Sequence, residues 1–201
     1  MSQVQNITSP MSPAERRATL SLSSIYALRM LGLFMILPVL SLFAETLEDA
    51  TPLLIGLAIS IYGLTQALLQ IPFGLLSDKF GRKKIIIIGL ILFATGSVVA
   101  ALSTTIYGIL IGRALQGSGA IAAAIMALVA DLTTEVHRTK AMAMIGASIG
   151  ISFGVAVSLG PIIAGFAGIS GIFWLTAILS CLAILVVLYV VPNPTESKVH
   201  R

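Results

Sequence analysis

Apolar residues run almost without interruption through six stretches: Leu20 to Phe43, Leu53 to Leu76, Ile85 to Leu102, Ile106 to Ala130, Ala141 to Ala167 and Gly171 to Val191. Charged positions gather in the short segments between them. An α-helix needs about 20 apolar residues to cross a hydrocarbon core about 30 Å thick, and lipid offers the backbone no other partner. The pattern therefore predicts an all-α membrane protein of six transmembrane helices. Residues 1–19 read as a polar N-terminus and the start of the first helix, 20–191 as the bundle, and 192–201 as a tail. Ser12, Pro13 and Glu15 have the spacing of a capping box with a first-turn proline, which places that start before the bilayer.

Composition agrees with this reading. Hydrophobic residues make up 57% of the chain and charged ones 10%, and a mean hydropathy of +1.04 excludes a soluble globular domain. The first apolar run is longer than a signal-peptide core, so no cleaved signal is expected. A lone cysteine rules out a disulfide framework and a cysteine-based zinc site, and no metal or cofactor is expected. The net charge of +4 changes the picture only through its distribution. Arg16, Arg17, Lys79, Arg82, Lys83, Lys84, Arg138, Lys140, Lys198 and Arg201 all fall on one side of the predicted membrane, and the connections on the other side hold none. Positive charge marks the cytoplasmic side, so both termini are expected there, and nucleic acid is not an expected partner. Glu45, Glu48 and Asp49 are expected as solvated acids on the opposite side.

Polar residues inside the spans suggest which helices face water or protein. The first helix carries Arg29, and the second carries Tyr62, Gln66 and Gln70 on nearly one face. The fourth carries Arg113 and Gln116, and the fifth carries Ser148 and Ser152. The third and sixth carry no charge and no amide. The first, second, fourth and fifth helices are therefore expected to surround a wet path, with the third and sixth toward lipid. No Asp, Glu or His lies deep in any span, so Arg29 and Arg113 must use carbonyls, glutamines, water, a ligand or an outside acid. His137 and His200 read as solvated. Ser118, within Gly117-Ser118-Gly119, lacks a base at its depth, so the chain does not read as an enzyme. Pro38, Pro72 and Pro161 are expected to kink their helices. Gly146, Gly150, Gly154, Ala156, Gly160 and Ala164 form a small-residue ridge on the fifth helix that admits a close neighbour.

The sharpest signal lies in a basic turn, Gly74-Leu-Leu-Ser-Asp78-Lys79-Phe-Gly81-Arg82-Lys83-Lys84. Asp78 sits at a helix C-terminus, where the dipole disfavours an anion, so it should seek Arg82 or another helix's N-terminus. Gly74 permits close approach of a neighbour, and Gly81 suits a positive φ in a tight turn. Three helices later Asp131 again ends a helix and is followed by Glu135, Arg138 and Lys140. The recurrence suggests two inverted repeats of three helices each.

These motifs resemble the major facilitator superfamily. The Gly74 to Lys84 segment is similar to that family's G-x3-D-[RK]-x-G-R-[RK] loop between helices 2 and 3. Gly112-Arg113-Ala-Leu-Gln116-Gly117 resembles its helix 4 arginine motif. Ala156-Val-Ser-Leu-Gly160-Pro161-Ile-Ile-Ala164-Gly165 resembles its helix 5 antiporter motif, with Ala in place of Gly at Ala156 and Ala164. Across nearly the whole chain the drug:proton antiporter branch fits best. The resemblance implies a twelve-helix fold of two six-helix bundles, of which this chain would be the N-terminal half. It also implies a cytoplasmic gate cluster of Gly74, Asp78, Gly81, Arg82, Asp131 and Arg138. Arg29, Tyr62, Gln66, Gln70, Arg113 and Gln116 would serve substrate or proton coupling, and Gly160, Pro161 and Gly165 the antiporter motif. The implied function is proton-coupled export of small amphipathic compounds across an inner membrane. The partners would be lipid, substrate, protons and the missing C-terminal half or a second copy. The alternatives are a stand-alone homodimeric transporter and a membrane subunit that binds or assembles without transporting.

Overall fold

The computed structural model describes residues 10–43 and 47–192. Glu45, Lys198, His200 and Arg201, and the tail beyond residue 192, lie outside the described residues. Six helical elements follow in chain order: α1 (Pro13–Phe43), α2 (Pro52–Phe80), α3 (Arg82–Leu102), α4 (Ile106–Ser118), α5 (Ala122–Leu132) and α6 (Glu135–Tyr189).

Local chemistry fixes the ends of these elements. The Ser12 amide donates to the Glu15 carboxylate at 2.9 Å while the Glu15 amide donates to the Ser12 hydroxyl at 3.2 Å. This reciprocal pair starts α1 at Pro13. Thr51 caps α2 by accepting from the Leu54 amide at 3.3 Å, with Pro52 in the first turn. Thr105 does the same for α4 through the Gly108 amide. Gly81, at φ +100°, both ends α2 and begins α3, a conformation that side chains with a Cβ rarely adopt.

Five stretches among the described residues are long and apolar enough to cross a membrane: Pro13–Leu40, Pro52–Phe80, Arg82–Leu102, Ile106–Leu132 and Glu135–Tyr189. The expectation of six transmembrane helices in two three-helix repeats is thereby corrected. The two stretches expected as separate helices, Ala141 to Ala167 and Gly171 to Val191, form the single element α6. Within it only Gly168 (φ 66°, ψ −172°) leaves the helical region. The physical reason is the absence of a polar loop there, so one glycine makes the whole bend. Without a division into separate fifth and sixth helices, the pairing of two three-helix sets does not hold.

A straight helix of 55 residues would be about 80 Å long, far more than a bilayer core. α6 instead turns back at Gly168. Along α1, Glu15 touches Thr134, Ala27 accepts from Ser152, and Met35 lies against Gly160, so the first arm of α6 runs alongside α1. The contacts then reverse, with Gly32 against Thr176 and Arg17 against Val190. Both ends of α6 thus meet the start of α1. The bend lies at the other end of the bundle, beside Leu47, Glu48, Ser103 and Thr104. Pro38, Pro72 and Pro161 all sit inside continuous helices, and the departure from helical backbone within α6 falls at Gly168. A proline removes one hydrogen bond but keeps a helical φ, whereas Gly168 leaves the helical basin.

The core forms two apolar clusters. One holds Leu22, Ile86, Leu90, Phe93, Ile125 and Leu128 toward the basic end. The other holds Met35, Leu40, Ile106, Ile109, Ile172 and Phe173 toward the bend of α6. Close approaches knit the helices backbone to backbone. A Cβ on Gly96 would lie 2.5 Å from the Gly112 carbonyl oxygen, and one on Gly160 would lie 2.8 Å from that of Met35. The ridge expected on the fifth helix divides accordingly. Ala156, Gly160 and Ala164 are buried, while Gly146, Gly150 and Gly154 have open space beside them.

Candidate functional site

α1, α2, α3 and α4, with the break between α4 and α5, bring the interior polar residues together. The fourth apolar stretch, read in sequence as continuous, is interrupted at residues 119–121. Gly117-Ser118-Gly119 is a poor helix sequence, and the interruption frees a carbonyl. The Gly119 oxygen accepts from Arg29 Nη2 at 2.8 Å, and Gln66 Oε1 lies 3.5 Å from the same nitrogen. The Arg29 guanidinium also stands 5.3 Å from the centre of the Phe93 ring.

Arg113 is held on the other side of the same aromatic pair. Its Nε donates to the Ala58 carbonyl at 3.2 Å and its Nη1 to Gln116 Oε1 at 2.9 Å, with its guanidinium 4.6 Å from the Tyr62 ring centre. Tyr62 and Phe93 meet edge to face with centroids 6.4 Å apart. The result is a stack of guanidinium, ring, ring, guanidinium spanning four helices, in which each cation uses a ring face in place of a carboxylate. Gln116 passes the network on by donating to Ser97 Oγ at 2.7 Å, and Ser97 donates to the Phe93 carbonyl at 2.8 Å.

Arg29 and Arg113 are both fully buried, yet among the described residues Arg29 Nε and Nη1 and Arg113 Nη2 have no hydrogen-bond partner. The Tyr62 hydroxyl and Gln70 Oε1 are likewise buried without one. A buried charged donor left without a partner costs more than a neutral one, so these atoms call for water or a polar ligand. Gln70 Oε1 accepts no hydrogen bond from either arginine. Among the described residues no group of three or more His, Cys, Asp or Glu side chains could hold a metal ion.

The third helix, expected toward lipid, has two faces: Ile88 and Ile91 are about half exposed, while Phe93 and Ser97 are fully buried. Phe93 and Ser97 on α3 both belong to the polar network, and both were missed because neither is charged nor an amide. A Gly96-Ser97 pair in the middle of an apolar run was the available signal, since it marks a point where another backbone approaches. α2 carries the most open surface, with Leu53, Leu68, Ile71 and Leu75 each more than 60% exposed.

A second cluster lies at the basic end. Arg82 forms an ion pair with Asp78 one helical turn earlier, and its Nε donates to Asp131 Oδ2 at 3.2 Å. Its Nη1 also donates to Ser77 Oγ at 2.7 Å, and Ser77 donates to the Gly74 carbonyl. Gly74 faces Ala123, and a Cβ there would lie 3.3 Å from the Ala123 methyl. Arg138 stands apart from this cluster. Its Nη2 reaches the Ala130 carbonyl at 3.5 Å, and its Nε has no partner among the described residues. Asp78 and Asp131 are roughly half exposed, so these pairs are worth little as glue. In the stretch resembling the antiporter motif, Gly160 is pressed against α1, while Gly165 is exposed with open space beside it.

His137 was expected to be solvated, but its side chain is only 11% exposed and Nδ1 lies 3.2 Å from Glu15 Oε1. The same carboxylate oxygen accepts from the Thr134 amide at 2.8 Å and the Thr134 hydroxyl at 2.9 Å. Glu15 thus caps α1 through one oxygen and fastens the start of α6 through the other. A short-range reading of Glu15 reveals only the first of these roles.

Comparison with known proteins agrees with this architecture. A model of the Major Facilitator Superfamily matches residues 22–201. The chain is 58% identical over 191 residues to the inner membrane transport protein YajR of Escherichia coli (strain K12), covering 95% of this chain and 42% of that protein. It is 35% identical over 148 residues to multidrug resistance protein 2 of Bacillus subtilis (strain 168), covering 72% of this chain and 36% of that protein. Its fold is similar to that of the human organic anion transporter MFSD10, with a TM-score of 0.76 at 21% identity, over 91% of this chain and 49% of that one. The chain spans less than half the length of the curated relatives it matches. These relatives are transport proteins, not enzymes, and the chain, a multi-pass integral membrane protein, belongs to the Major Facilitator Superfamily.

Proposed function

We propose that the chain is the N-terminal half of a secondary active transporter that exports small amphipathic compounds in exchange for protons by alternating access. The observation that carries this reading is the pair of buried arginines with unpartnered nitrogens and no ion pair to an acid among the described residues. A purely structural interior has no use for such donors, whereas a substrate or proton-linked site does. The likeness to multidrug resistance protein 2 supports export of amphipathic compounds. In this reading Arg29, Tyr62, Gln66, Gln70, Arg113 and Gln116 line one side of the site. Gly74, Asp78, Gly81, Arg82 and Asp131 bias a gate at the cytoplasmic end, with Arg138 beside them. The open face of α2 and the Gly146, Gly150 and Gly154 face of α6 receive the second half, which closes the cavity. Gly160, Pro161 and Gly165 set the path of the first arm of α6 against α1. Both termini are cytoplasmic.

The test is flux in proteoliposomes under an imposed pH gradient, with oligomeric state measured in the same preparation. The chain alone is expected to move no amphipathic dye, anionic ones included, as a monomer. Co-reconstitution with the C-terminal portion of a relative should restore pH-driven movement. Flux by verified monomers would overturn the half-transporter reading, and flux by homodimers would replace the missing half with a second copy.

A further inference from the structure

A groove of about 610 Å³ opens between the first turns of α1 and the last turns of α6, and no residue of the arginine network or of the Arg82 cluster lines it. Its walls include Leu20, Val186 and Val190, and its polar edge includes Arg16, Arg17 and Ser24. Leu20 and Val190 remain 46% and 39% exposed, so the apolar wall is left open by the described residues. Neither arginine has an acidic partner among the described residues, because Glu15, the acid next to them, is turned to Ser12, Thr134 and His137. Arg17 Nε is fixed by the Val190 carbonyl at 3.1 Å, which ties one guanidinium to the rim.

We propose that this groove is a binding site for an anionic phospholipid, with the headgroup phosphate on Arg16 and Arg17 and an acyl chain along Leu20, Val186 and Val190. The occupant follows from the chemistry of the walls. Two guanidiniums at one edge, without an acidic partner among the described residues, select an anion, and a planar guanidinium grips phosphate with paired donors. The apolar wall beside them selects a molecule that carries hydrocarbon, which inorganic phosphate lacks. The groove lies at the basic end of the bundle, where basic pockets between helices meet anionic headgroups. A lipid there would bridge α1 and the end of α6, on the side opposite the Glu15 clasp that holds the start of α6. The proposal rests on the cytoplasmic placement of the basic end but not on transport.

The test is native mass spectrometry of the detergent-solubilised chain, titrated with phosphatidylglycerol or phosphatidylcholine of the same acyl chains. The chain is expected to retain phosphatidylglycerol about tenfold more tightly than phosphatidylcholine. Arg16→Gln with Arg17→Gln should abolish that preference, while Lys79→Gln with Lys84→Gln, at the same end but outside the groove, should leave it in place. Leu20→Trp narrows the apolar wall without touching charge and should weaken retention of both lipids, which keeps the proposal testable if the double glutamine variant fails to fold. An unchanged preference in the arginine variant, or equal loss in the lysine variant, would overturn the site in favour of diffuse charge. Displacement of the lipid by millimolar inorganic phosphate would overturn the lipid as occupant. Failure of the flux assay bears on none of these outcomes.

Discussion

At the residue scale, the difference between buried and exposed polar groups sets what each substitution should do. Gln116 is fully buried and joins Arg113 to Ser97, so Gln116→Leu strands an arginine nitrogen, while the Ser97 hydroxyl keeps its bond to the Phe93 carbonyl. A loss of about 1–3 kcal/mol is expected. Arg82 pairs with two half-exposed acids, and Arg82→Ala should cost less than about 1 kcal/mol. Thermal unfolding of both variants in one detergent checks the order. A larger loss for Arg82→Ala would mean that its cluster holds the fold together. The deep arginines and glutamines were legible in the sequence because a polar residue within an apolar run has few explanations. Phe93, the Ala58 carbonyl and the Gly119 carbonyl were not, because a ring face and a backbone oxygen acquire their roles only from what approaches them.

Elements behave differently, because their ends follow local rules and their breaks do not. The caps at Ser12 and Glu15, Thr51 and Thr105 are short-range chemistry and can be read from spacing. The bend of α6 depends on one glycine at φ 66°, ψ −172°, a region that residues with a Cβ enter at a cost of about 1–3 kcal/mol. Gly168→Val is therefore expected to destabilise the chain by about that amount. Gly165→Ala, in helical conformation with open space beside it, should be neutral or slightly stabilising. Comparing the two by thermal unfolding separates backbone strain from helix propensity, and equal effects would show that the φ of Gly168 is not what the fold depends on. The count of crossing helices was misread for the same reason, since a bend without a polar loop lets one element hold what the apolar pattern divides in two.

For the whole molecule the decisive features are its two unlike ends and its open faces. All described Lys and Arg residues outside the buried Arg29 and Arg113 lie at one end, and the bend of α6 shares the other end with Glu48 and Thr104. Single cysteines at Lys84 and Asp49, in a Cys181→Ser background, report the orientation. Position 84 is expected to react with a membrane-impermeant thiol reagent only after the membrane is opened, and position 49 in intact cells. The reverse pattern would invert the topology.

What the sequence determined by itself was the solvent and the kind of molecule. Long apolar runs can be stable only in lipid, lipid leaves the backbone only helices or closed barrels, and these runs are of helix length. It also determined which residues would be costly to bury, since Arg29 and Arg113 are charged wherever they end up. Tertiary structure decided how that cost is met: two aromatic rings between the guanidiniums, a broken α4–α5 helix that offers Gly119, and one face of α3 packed into the network. It also decided that Glu15 and Arg17 on α1 would hold the two ends of α6, more than a hundred residues away. Spacing along a chain records contacts within a helical turn or two. Partners from distant segments are chosen by packing, which no local pattern contains.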